Sequence, residues 1–256
     1  MNRPTPSVAL SVIIPVHREE AHINDLLAHL AAIPAPGDLE MRASGTGRVE
    51  IIVVDGDPKR RTLAAISQDA LSQTLIKLPS ERGRARQMNT GAASAQGEVL
   101  LFLHADTRLP LDAFARIEHA LFPEPGKAES CGGAFALRIL PEDGGQPGPG
   151  LRFIAWAANL RARLTRAPFG DQAIFMRRDC FVPLGGFPDI PLMEDLEFMT
   201  RLRRRGLPIT LLSAKVVTSA RRWEREGLLR CTGRNILLRA LYHLGVSPQR
   251  LARLYP

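Results

Sequence analysis

Two carboxylates in this chain closely follow apolar runs that have the composition of buried strands. Asp55 comes directly after residues 51–54, and Asp106 follows residues 99–103 with only His104 and Ala105 between them. Parallel strands end at one edge of a sheet, and open α/β sheets bind ligands in the crevice at that edge. The two carboxylates are therefore candidates for a cation site or for anchors of a polar ligand. A single Asp after a strand is also a common turn former, so each alone leaves that alternative open.

The pair His104 and Asp106 has the spacing of a small metal-binding element. In an extended segment, side chains two residues apart share a face. An imidazole with a carboxylate suits Mn²⁺ or a similar divalent ion, whereas Mg²⁺ favours oxygen ligands. The sequence thus predicts a divalent metal, Mn²⁺ or Mg²⁺, at Asp106 and His104. The alternative is that His104 only hydrogen-bonds a neighbour.

Alternating apolar runs and helical spacing organise the chain around these residues. Strands are predicted at 8–16, 49–54, 74–78, 99–103, 135–140 and 208–218. Helices are predicted at 19–32, 59–70, 84–95, 111–122, 151–165, 194–205 and 225–244. Loops rich in Pro and Gly are predicted at 34–47 and 141–150. Strands that alternate with helices predict an α/β fold with a mostly parallel sheet and helices on both faces.

Length and composition fit an ordinary globular domain. The chain has 256 residues, of which 45% are hydrophobic and 23% charged, which excludes disordered, collagen-like and disulfide-scaffold proteins. Three widely spaced cysteines, Cys131, Cys180 and Cys231, offer no zinc pair and are interpreted as buried thiols. No apolar run is long enough to span a bilayer, and no signal peptide is recognisable, so we expect a cytoplasmic protein.

The positive charge is concentrated in the second part of the chain. The net charge is +8, with −3 over residues 1–150 and +11 over residues 151–256. A basic region suggests an anionic partner, namely a diphosphate, a nucleic acid or a membrane surface, or else a solvated basic face. The basic residues lack interleaved aromatics and no binding motif is present, so no specific nucleic-acid partner is expected. The C-terminal helix, with Arg230, Arg234 and Arg239 among leucines, is expected to pack on the domain. The alternative is peripheral contact with an anionic membrane at its inner face.

Six segments in order across residues 8–225 resemble motifs of the family 2 glycosyltransferases, which have the GT-A fold. They are Ser11–Glu20, Ile51–Gly56, the region from Gly83 through Asn89-Thr90-Gly91 to Glu98, Phe102–Asp106, Glu194-Asp195 and Arg221-Arg222-Trp223. Four segments resemble, more narrowly, a bacterial subgroup named for its association with radical-SAM/selenodomain proteins and with arsenosugar biosynthesis. They are Phe102–Thr107, Phe169–Gln172, Ser219–Trp223 and Tyr242–Pro248.

The resemblance implies a single GT-A (Rossmann-like) domain over residues 1–256, with a mixed, mostly parallel sheet. Residues 8–110 would bind the nucleotide-sugar, residues 130–225 the acceptor, and residues 225–256 would form a C-terminal helical segment. The implied reaction moves a sugar, with inversion, from a nucleotide-sugar, by default a UDP-sugar, to an acceptor hydroxyl. Asp195 would be the catalytic base. Donor contacts would come from Pro15, Glu19, Asp55, Arg84 and Asp106, and the sugar or acceptor pocket from Asp171, Gln172, Glu194, Arg222 and Trp223.

Two departures from the family pattern keep other functions in view. His104 stands where the family has the first Asp of its DxD motif, which leaves the metal identity open. Asp55-Gly56-Asp57-Pro58 replaces the usual Asp-Asp-Gly-Ser. The main alternative is a non-catalytic nucleotide-sugar-binding or scaffold protein with a degenerate DxD motif. A nucleotidyltransferase is disfavoured, because it usually has a Gly-rich basic loop where this chain has His17–Glu20.

Overall fold

One mixed sheet of eight strands organises the computed structural model, which describes residues 10–35, 49–67, 74–124, 126 and 129–255. The strand order is β3-β2-β1-β4-β7-β6-β8-β5. The strands are β1 (Leu10–Val16), β2 (Val49–Asp55), β3 (Thr74–Pro79), β4 (Val99–Phe102), β5 (Thr107–Arg108), β6 (Gly132–Leu140), β7 (Phe175–Arg177) and β8 (Ile209–Ser219). Four of the pairings are parallel, β1 with β2 and β4, β2 with β3, and β6 with β8.

Helices cover both faces of this sheet. They are α1 (Ile23–Ala31), α2 (Arg61–Ala65), α3 (Arg84–Ser94), α4 (Ala113–Leu121), α5 (Pro149–Thr165), α6 (Arg178–Phe181), α7 (Glu194–Arg204), α8 (Arg221–Glu226), α9 (Leu228–His243) and α10 (Pro248–Arg253). Short 3-10 turns lie at Gly170–Gln172 and Val182–Leu184. The predicted fold class, an α/β mixed and mostly parallel sheet with helices on both faces, is confirmed.

The central strand β1 shows why the sequence forms this core. Its side chains alternate between two hydrophobic clusters, with Val12 and Ile14 in one and Ile13 in the other. Helix α1 contributes to the first cluster and α3 to the second, so each face of the strand is buried by a helix. Full burial of one such β-branched side chain contributes about 1.5–3 kcal/mol. The part of the strand from Val12 to Val16 is therefore a continuous apolar run in the sequence.

The second part of the sheet is less regular than predicted. Strand β7 is antiparallel to both β4 and β6, and β5 is antiparallel to β8. Neither β5 nor β7 was predicted, because segments of two and three residues carry no measurable periodicity. Strand β7 has a positioning role, since Leu101 of β4 pairs with Phe175 and the turn Gly170–Gln172 thereby reaches the end of β4.

Several predicted boundaries were wrong for local reasons. The single helix expected over 225–244 is two helices, because Gly227 adopts a φ of 85° between α8 and α9. Helix α2 ends at Ala65 rather than continuing to 70, since Ile66 is extended. Predictions for residues 8–9, 36–47 and 68–70 lie outside the described residues. Of the three thiols expected to be buried, only Cys231 is; the other two are half-buried.

Helix α9 packs on the domain less completely than expected. It buries only Cys231 and Leu238, while Leu229 and Leu237 are exposed. Across the residues that the structure describes, no helix combines the length and apolar character that crossing a bilayer requires.

Candidate active site

Asp55, at the end of β2, is buried and bound by the backbone of its own turn. Its Oδ1 accepts the N–H of Asp57 at 2.8 Å, and its Oδ2 accepts the N–H of Leu63 at 3.3 Å. The neighbouring carboxyl of Asp57 is buried as well, which alone would raise its pKa. The Lys59 N–H and the charge of Arg61 more than offset this and lower the pKa of Asp57. Asp55 thus shapes the loop after β2, and its contact with a nucleotide stays a prediction.

The ends of β1 and β2 are held together by Gln87 of α3, which the sequence did not single out. Its amide Nε2 donates to the carbonyl oxygens of Val16 at 2.7 Å and Val54 at 2.8 Å. A Cβ at Gly56 would lie 2.9 Å from this amide, so the glycine leaves the room that Gln87 needs. A buried Gln with carbonyl partners fixes the sheet edge where the candidate site begins.

Glu19 connects the loop after β1 to helix α8. Its carboxylate pairs with Arg221 at 3.2 Å, and its backbone N–H donates to Thr62 Oγ1 at 3.1 Å. The sequence stressed Arg222, whereas the neighbouring Arg221 makes the ion pair. Pro15 is half-buried near the end of β1. The roles predicted for Glu19 and Pro15 toward a donor stay predictions.

Asp195 lies in the first turn of α7, and its carboxylate is held from two directions. Oδ2 accepts the N–H of Gly170 at 2.9 Å, and Oδ1 accepts the N–H of Leu196 at 2.7 Å. The helix begins after Met193, which adopts a left-handed φ of 69° and turns the chain sharply into α7. Both oxygens keep unused lone pairs, so the carboxylate is oriented and still able to accept a proton.

Gly170 brings Asp195 close to the His104 imidazole. A Cβ built on Gly170 would lie 2.7 Å from His104 Nε2 and 3.7 Å from Asp195 Oδ2. Any larger residue at this position would clash with the imidazole. The candidate base, on α7, and the candidate metal ligand, after β4, therefore belong to one cluster, which Gly170 joins.

Arg84, the first residue of α3, lies among four carboxylates. Its Nη1 contacts Glu194 Oε1 at 3.2 Å. Burial alone would lower the pKa of the guanidinium, but Glu194 raises it, as do three further carboxylates, those of Asp195, Asp106 and Asp171. Burial and the charge of Asp195 raise the pKa of Glu194, and Arg84 opposes that rise. Arg84 is thus one of the cations, together with Arg161 and Arg222, whose charge offsets that of these carboxylates.

His104 is a neutral imidazole at neutral pH. Burial, followed by the charge of Arg84, lowers its pKa to about 3, with Asp106 opposing the shift. Its Nε2 is buried and finds no hydrogen-bond partner among the described residues. A neutral ring with an unpaired nitrogen is the form that binds a metal.

The residues present fit a divalent metal only as a partial ligand set. His104 and Asp106 offer one nitrogen and one carboxylate, a mixture that favours Mn²⁺ over Mg²⁺. Within the described chain, no group of three or more His, Cys, Asp or Glu side chains could hold an ion. A metal here would need further oxygens, which the diphosphate of a nucleotide-sugar and water can provide.

Gln172 and Trp223 both hydrogen-bond to other parts of the protein, and their places in the sugar or acceptor pocket stay predictions. Gln172 is 1% exposed, its Oε1 accepts the Phe169 N–H at 3.2 Å, and its Nε2 donates to the Phe135 carbonyl at 3.0 Å. Trp223 is half-buried against the core, and its indole N–H donates to Thr232 Oγ1 at 3.2 Å. Both side chains are occupied by protein partners.

Arg222 extends from α8 toward the same cluster. It bonds the Tyr255 hydroxyl, and its guanidinium lies 5.2 Å from the Tyr255 ring centroid. Its charge helps to lower the pKa of His104, so it acts on the site electrostatically. The structure therefore groups seven charged or titratable side chains, whereas Asp55 lies at the end of β2 and Glu19 on the loop after β1. The seven are Arg84, Glu194, Asp195, Asp171, Asp106, His104 and Arg222.

The Asp171 carboxyl should make the free energy of unfolding depend on pH. Burial, with the charge of Asp195, raises its pKa to about 6 from an ordinary 3.8, and Arg161 opposes the rise. Between these values the folded state holds the proton more tightly, so stability falls as pH rises through that window. We expect wild-type unfolding free energy to fall by about 1–3 kcal/mol more than that of Asp171→Asn between about pH 4 and pH 7.

Urea titrations at a series of pH values measure this difference. The control is Asp25→Asn, an exposed first-turn carboxylate of α1, which should follow the wild type. Parallel pH curves for the wild type and Asp171→Asn would show that Asp171 ionises as freely in the folded chain as in the unfolded one.

Comparison with known proteins defines the class of this fold. The structure of a mannosyltransferase, PcManGT from Pyrobaculum calidifontis, in complex with GDP-Man and Mn²⁺, aligns with a TM-score of 0.58, 23% identity, 84% of this chain and 58% of that one. S. aureus TarS 1-349 in complex with UDP aligns with a TM-score of 0.56, 20% identity, 83% of this chain and 60% of that one. The chain has a GT-A-type fold.

Sequence comparison shows which family part of the chain resembles. Residues 11–122 match the family model described as Glycosyl transferase family 2. A "Probable glycosyltransferase YdaM" from Bacillus subtilis (strain 168) is 26% identical over 229 residues, which cover 85% of this chain and 50% of that protein. The chain thus spans about half the length of this curated relative. Residues 11–122, less than half of the chain, thus resemble glycosyltransferase family 2, and the similarity supports assignment to the glycosyltransferases.

Proposed function

We propose that this protein is a metal-dependent, inverting glycosyltransferase that moves a sugar from a nucleotide-sugar to an acceptor hydroxyl. The observation that carries the proposal is the carboxylate of Asp195. It is held by the Gly170 N–H at 2.9 Å beside His104, at the end of β4. A proton acceptor and candidate metal ligands meet there, which is what this transfer needs.

The donor side must neutralise a diphosphate as it leaves. Arg84, at the start of α3, carries a guanidinium with one nitrogen on Glu194 and is 45% exposed, so its remaining N–H groups can bind phosphate oxygens. A divalent ion held by Asp106 and His104 would add Lewis-acid neutralisation of the leaving diphosphate. Arg222 adds positive charge on the same side.

The acceptor side requires a base. As the acceptor oxygen forms its bond to the anomeric carbon, the bond from that carbon to the diphosphate oxygen breaks, and Asp195 takes the hydroxyl proton. Attack opposite to the leaving group inverts the centre, so an α-linked donor gives a β-linked product. Gly170 and Leu196 keep the Asp195 carboxylate in position, and general-base help of this kind contributes about 10²–10⁴-fold in rate.

The nucleotide is proposed to be UDP, following the family resemblance. Similar structures support a nucleoside diphosphate in general, since TarS was solved with UDP and with UDP-GlcNAc and PcManGT with GDP-Man. The acceptor is assigned only as a hydroxyl compound, bound by residues 130–225. Contact of the C-terminal helical segment with a membrane belongs to the proposal as well, as does membership of the arsenosugar-associated subgroup.

A degenerate site is the second candidate, because the described residues offer a metal only two ligands. Such a protein would bind a nucleotide-sugar without transferring it. Such a protein would bind the donor at the same site as the transferase but would show no turnover.

Thermal unfolding with UDP, GDP and dTDP, each with and without Mn²⁺, tests the donor site. A ligand at about 100 times its dissociation constant stabilises the fold by about 2.7 kcal/mol. We expect one nucleotide to stabilise, only with Mn²⁺, and Asp106→Ala to abolish the effect while the control Asp25→Ala retains it. Equal stabilisation with and without Mn²⁺, or the same stabilisation in Asp106→Ala as in the wild type, would refute the metal role of Asp106.

A further inference from the structure

Helix α5 leaves a stripe of large apolar side chains in solvent. Phe153, Trp156 and Leu164 are 65%, 58% and 76% exposed, and Leu160 is 39% exposed. Steps of three and four residues place them on one face of the helix, away from the buried Leu151, Ala155 and Ala162. Contiguous exposed apolar surface of this kind marks an interaction site.

Helix α9 runs beside α5 in the same direction and continues the apolar surface. At their first turns, a Cβ on Gly150 would lie 2.6 Å from Leu228 Cδ2. Eleven residues further along each helix, the guanidiniums of Arg161 and Arg239 both lie over the Phe169 ring, at 3.5 and 5.8 Å. The exposed apolar residues of this second helix and its end are Leu229, Ile236, Leu237 and Leu244, with exposed fractions of 86%, 53%, 56% and 81%.

Positive charge borders the α5 stripe. An open groove of about 710 Å³ lies between α5 and strands β6 and β8, with Trp156 and Leu160 on its wall. Its charged lining among the described residues is Arg138, Arg152, Arg163 and Lys215, with no acidic side chain. Apolar side chains bordered by cations on an adjacent surface are complementary to lipid headgroup phosphates above acyl chains.

We propose that α5 and α9 form a docking surface for an anionic lipid bilayer. Phe153, Trp156 and Leu164 enter the boundary between headgroups and acyl chains, and Arg152 and Arg163 bind lipid phosphates. A second copy of the chain would cover the apolar stripe and leave the cations of the groove unmatched. A nucleic acid would match the cations and leave the leucines in water. The inference extends to α5 the membrane contact that was proposed for the C-terminal helical segment, and it does not rest on the proposed transferase activity.

Cosedimentation of the full chain with vesicles tests this surface. Vesicles of phosphatidylcholine alone are compared with vesicles that contain about 30% phosphatidylglycerol. The ionic strength is about 0.1 M, at which the Debye length is about 10 Å. We expect binding to the anionic vesicles, and about tenfold or more weaker binding for Phe153→Ser/Trp156→Ser and for Arg152→Gln/Arg163→Gln. The control Leu111→Ser/Val182→Ser removes equally exposed apolar residues outside the two helices and should bind as the wild type does.

Three outcomes would overturn the proposal. The wild type fails to sediment with anionic vesicles, or both double variants sediment as it does, or the wild type is a dimer in solution that Phe153→Ser/Trp156→Ser dissociates. All of the substituted side chains are solvent-exposed, so unfolding temperatures close to that of the wild type verify that the variants are folded. Nucleotide-induced stabilisation, measured separately, reports on the donor site whatever the vesicles show.

Discussion

Replacing Asp195 with Asn removes most of the turnover and leaves the donor bound. The amide keeps the side-chain shape, and its oxygen can still accept the Gly170 N–H that now contacts Oδ2 at 2.9 Å. It cannot take the acceptor proton, so we expect the transfer rate to fall by about 10²–10⁴-fold. Nucleotide-induced stabilisation, with Mn²⁺ present, should match that of the wild type.

The matched control for this variant is Asp25→Asn. Both residues are first-turn carboxylates, Asp195 of α7 and Asp25 of α1. Asp25 is exposed and lies outside the candidate site, whereas two backbone N–H groups orient Asp195. It should turn over as the wild type does. Full activity in Asp195→Asn would show that another group receives the proton and would end the assignment of Asp195 as base.

Arg84→Gln is expected to weaken both the fold and the donor site. Glu194 is 3% exposed and has Arg84 as its ion-pair partner at 3.2 Å. Because Arg84 itself is 45% exposed, the loss is below that of a fully buried pair, and we expect the unfolding free energy to fall by about 1–3 kcal/mol. The loss of stability should be larger at high pH, because removing Arg84 raises the pKa of Glu194 further. At low pH the Glu194 carboxyl is then protonated, and burying a neutral carboxyl costs less than burying a charged one.

A double variant separates the two effects of Arg84. In Arg84→Gln/Glu194→Gln the buried charge is gone, so stability should recover toward the wild type and lose its extra pH dependence. Donor affinity should stay reduced in both variants, because the phosphate-facing cation is missing. Chemical denaturation and nucleotide titration measure the two quantities. Unchanged nucleotide affinity in the single variant would remove Arg84 from the donor site.

The first half of the fold was predictable because its strands are buried on both faces. Runs of buried apolar side chains fill most of β1, β2 and β4, interrupted in the first two by Ser11 and Glu50. Such runs are typical of strands that are covered on both faces. Their carboxyl ends place Asp55 and the His104–Asp106 segment at one edge by topology alone. Residues that act from the end of a buried strand are thus visible in sequence.

The rest could not be predicted, because it depends on contacts between distant segments. Strand β7 exists because it pairs with β4 and β6, and Gly170 reaches Asp195 only through that pairing. The sequence predicts Gln172 as a polar pocket residue, and it gives no sign that the Gln172 amide donates a hydrogen bond to the Phe135 carbonyl of β6. Gln87 has no sequence signal at all, since nothing local marks a side chain that bonds the ends of two strands.

The exposed stripe on α5 shows the opposite limitation. Apolar residues at helical spacing predict a buried face, and α5 does bury Leu151, Ala155 and Ala162. Phe153 and Trp156, on its other side, are as apolar as a core and lie in solvent. Periodicity can find both stripes, and only the packing tells which one needs a partner.

Inverting transfer is tested by the breakdown of UDP-, GDP- and dTDP-linked sugars, with water in place of the acceptor. We expect Mn²⁺ and the protein together to release the nucleoside diphosphate from one of these donors. From an α-linked donor, the first sugar anomer seen by NMR should be β. Release of the α anomer would contradict single displacement with Asp195 as base. If none of the donors is broken down, although one nucleotide does stabilise the fold, the result would contradict transfer. It would favour the degenerate binding protein.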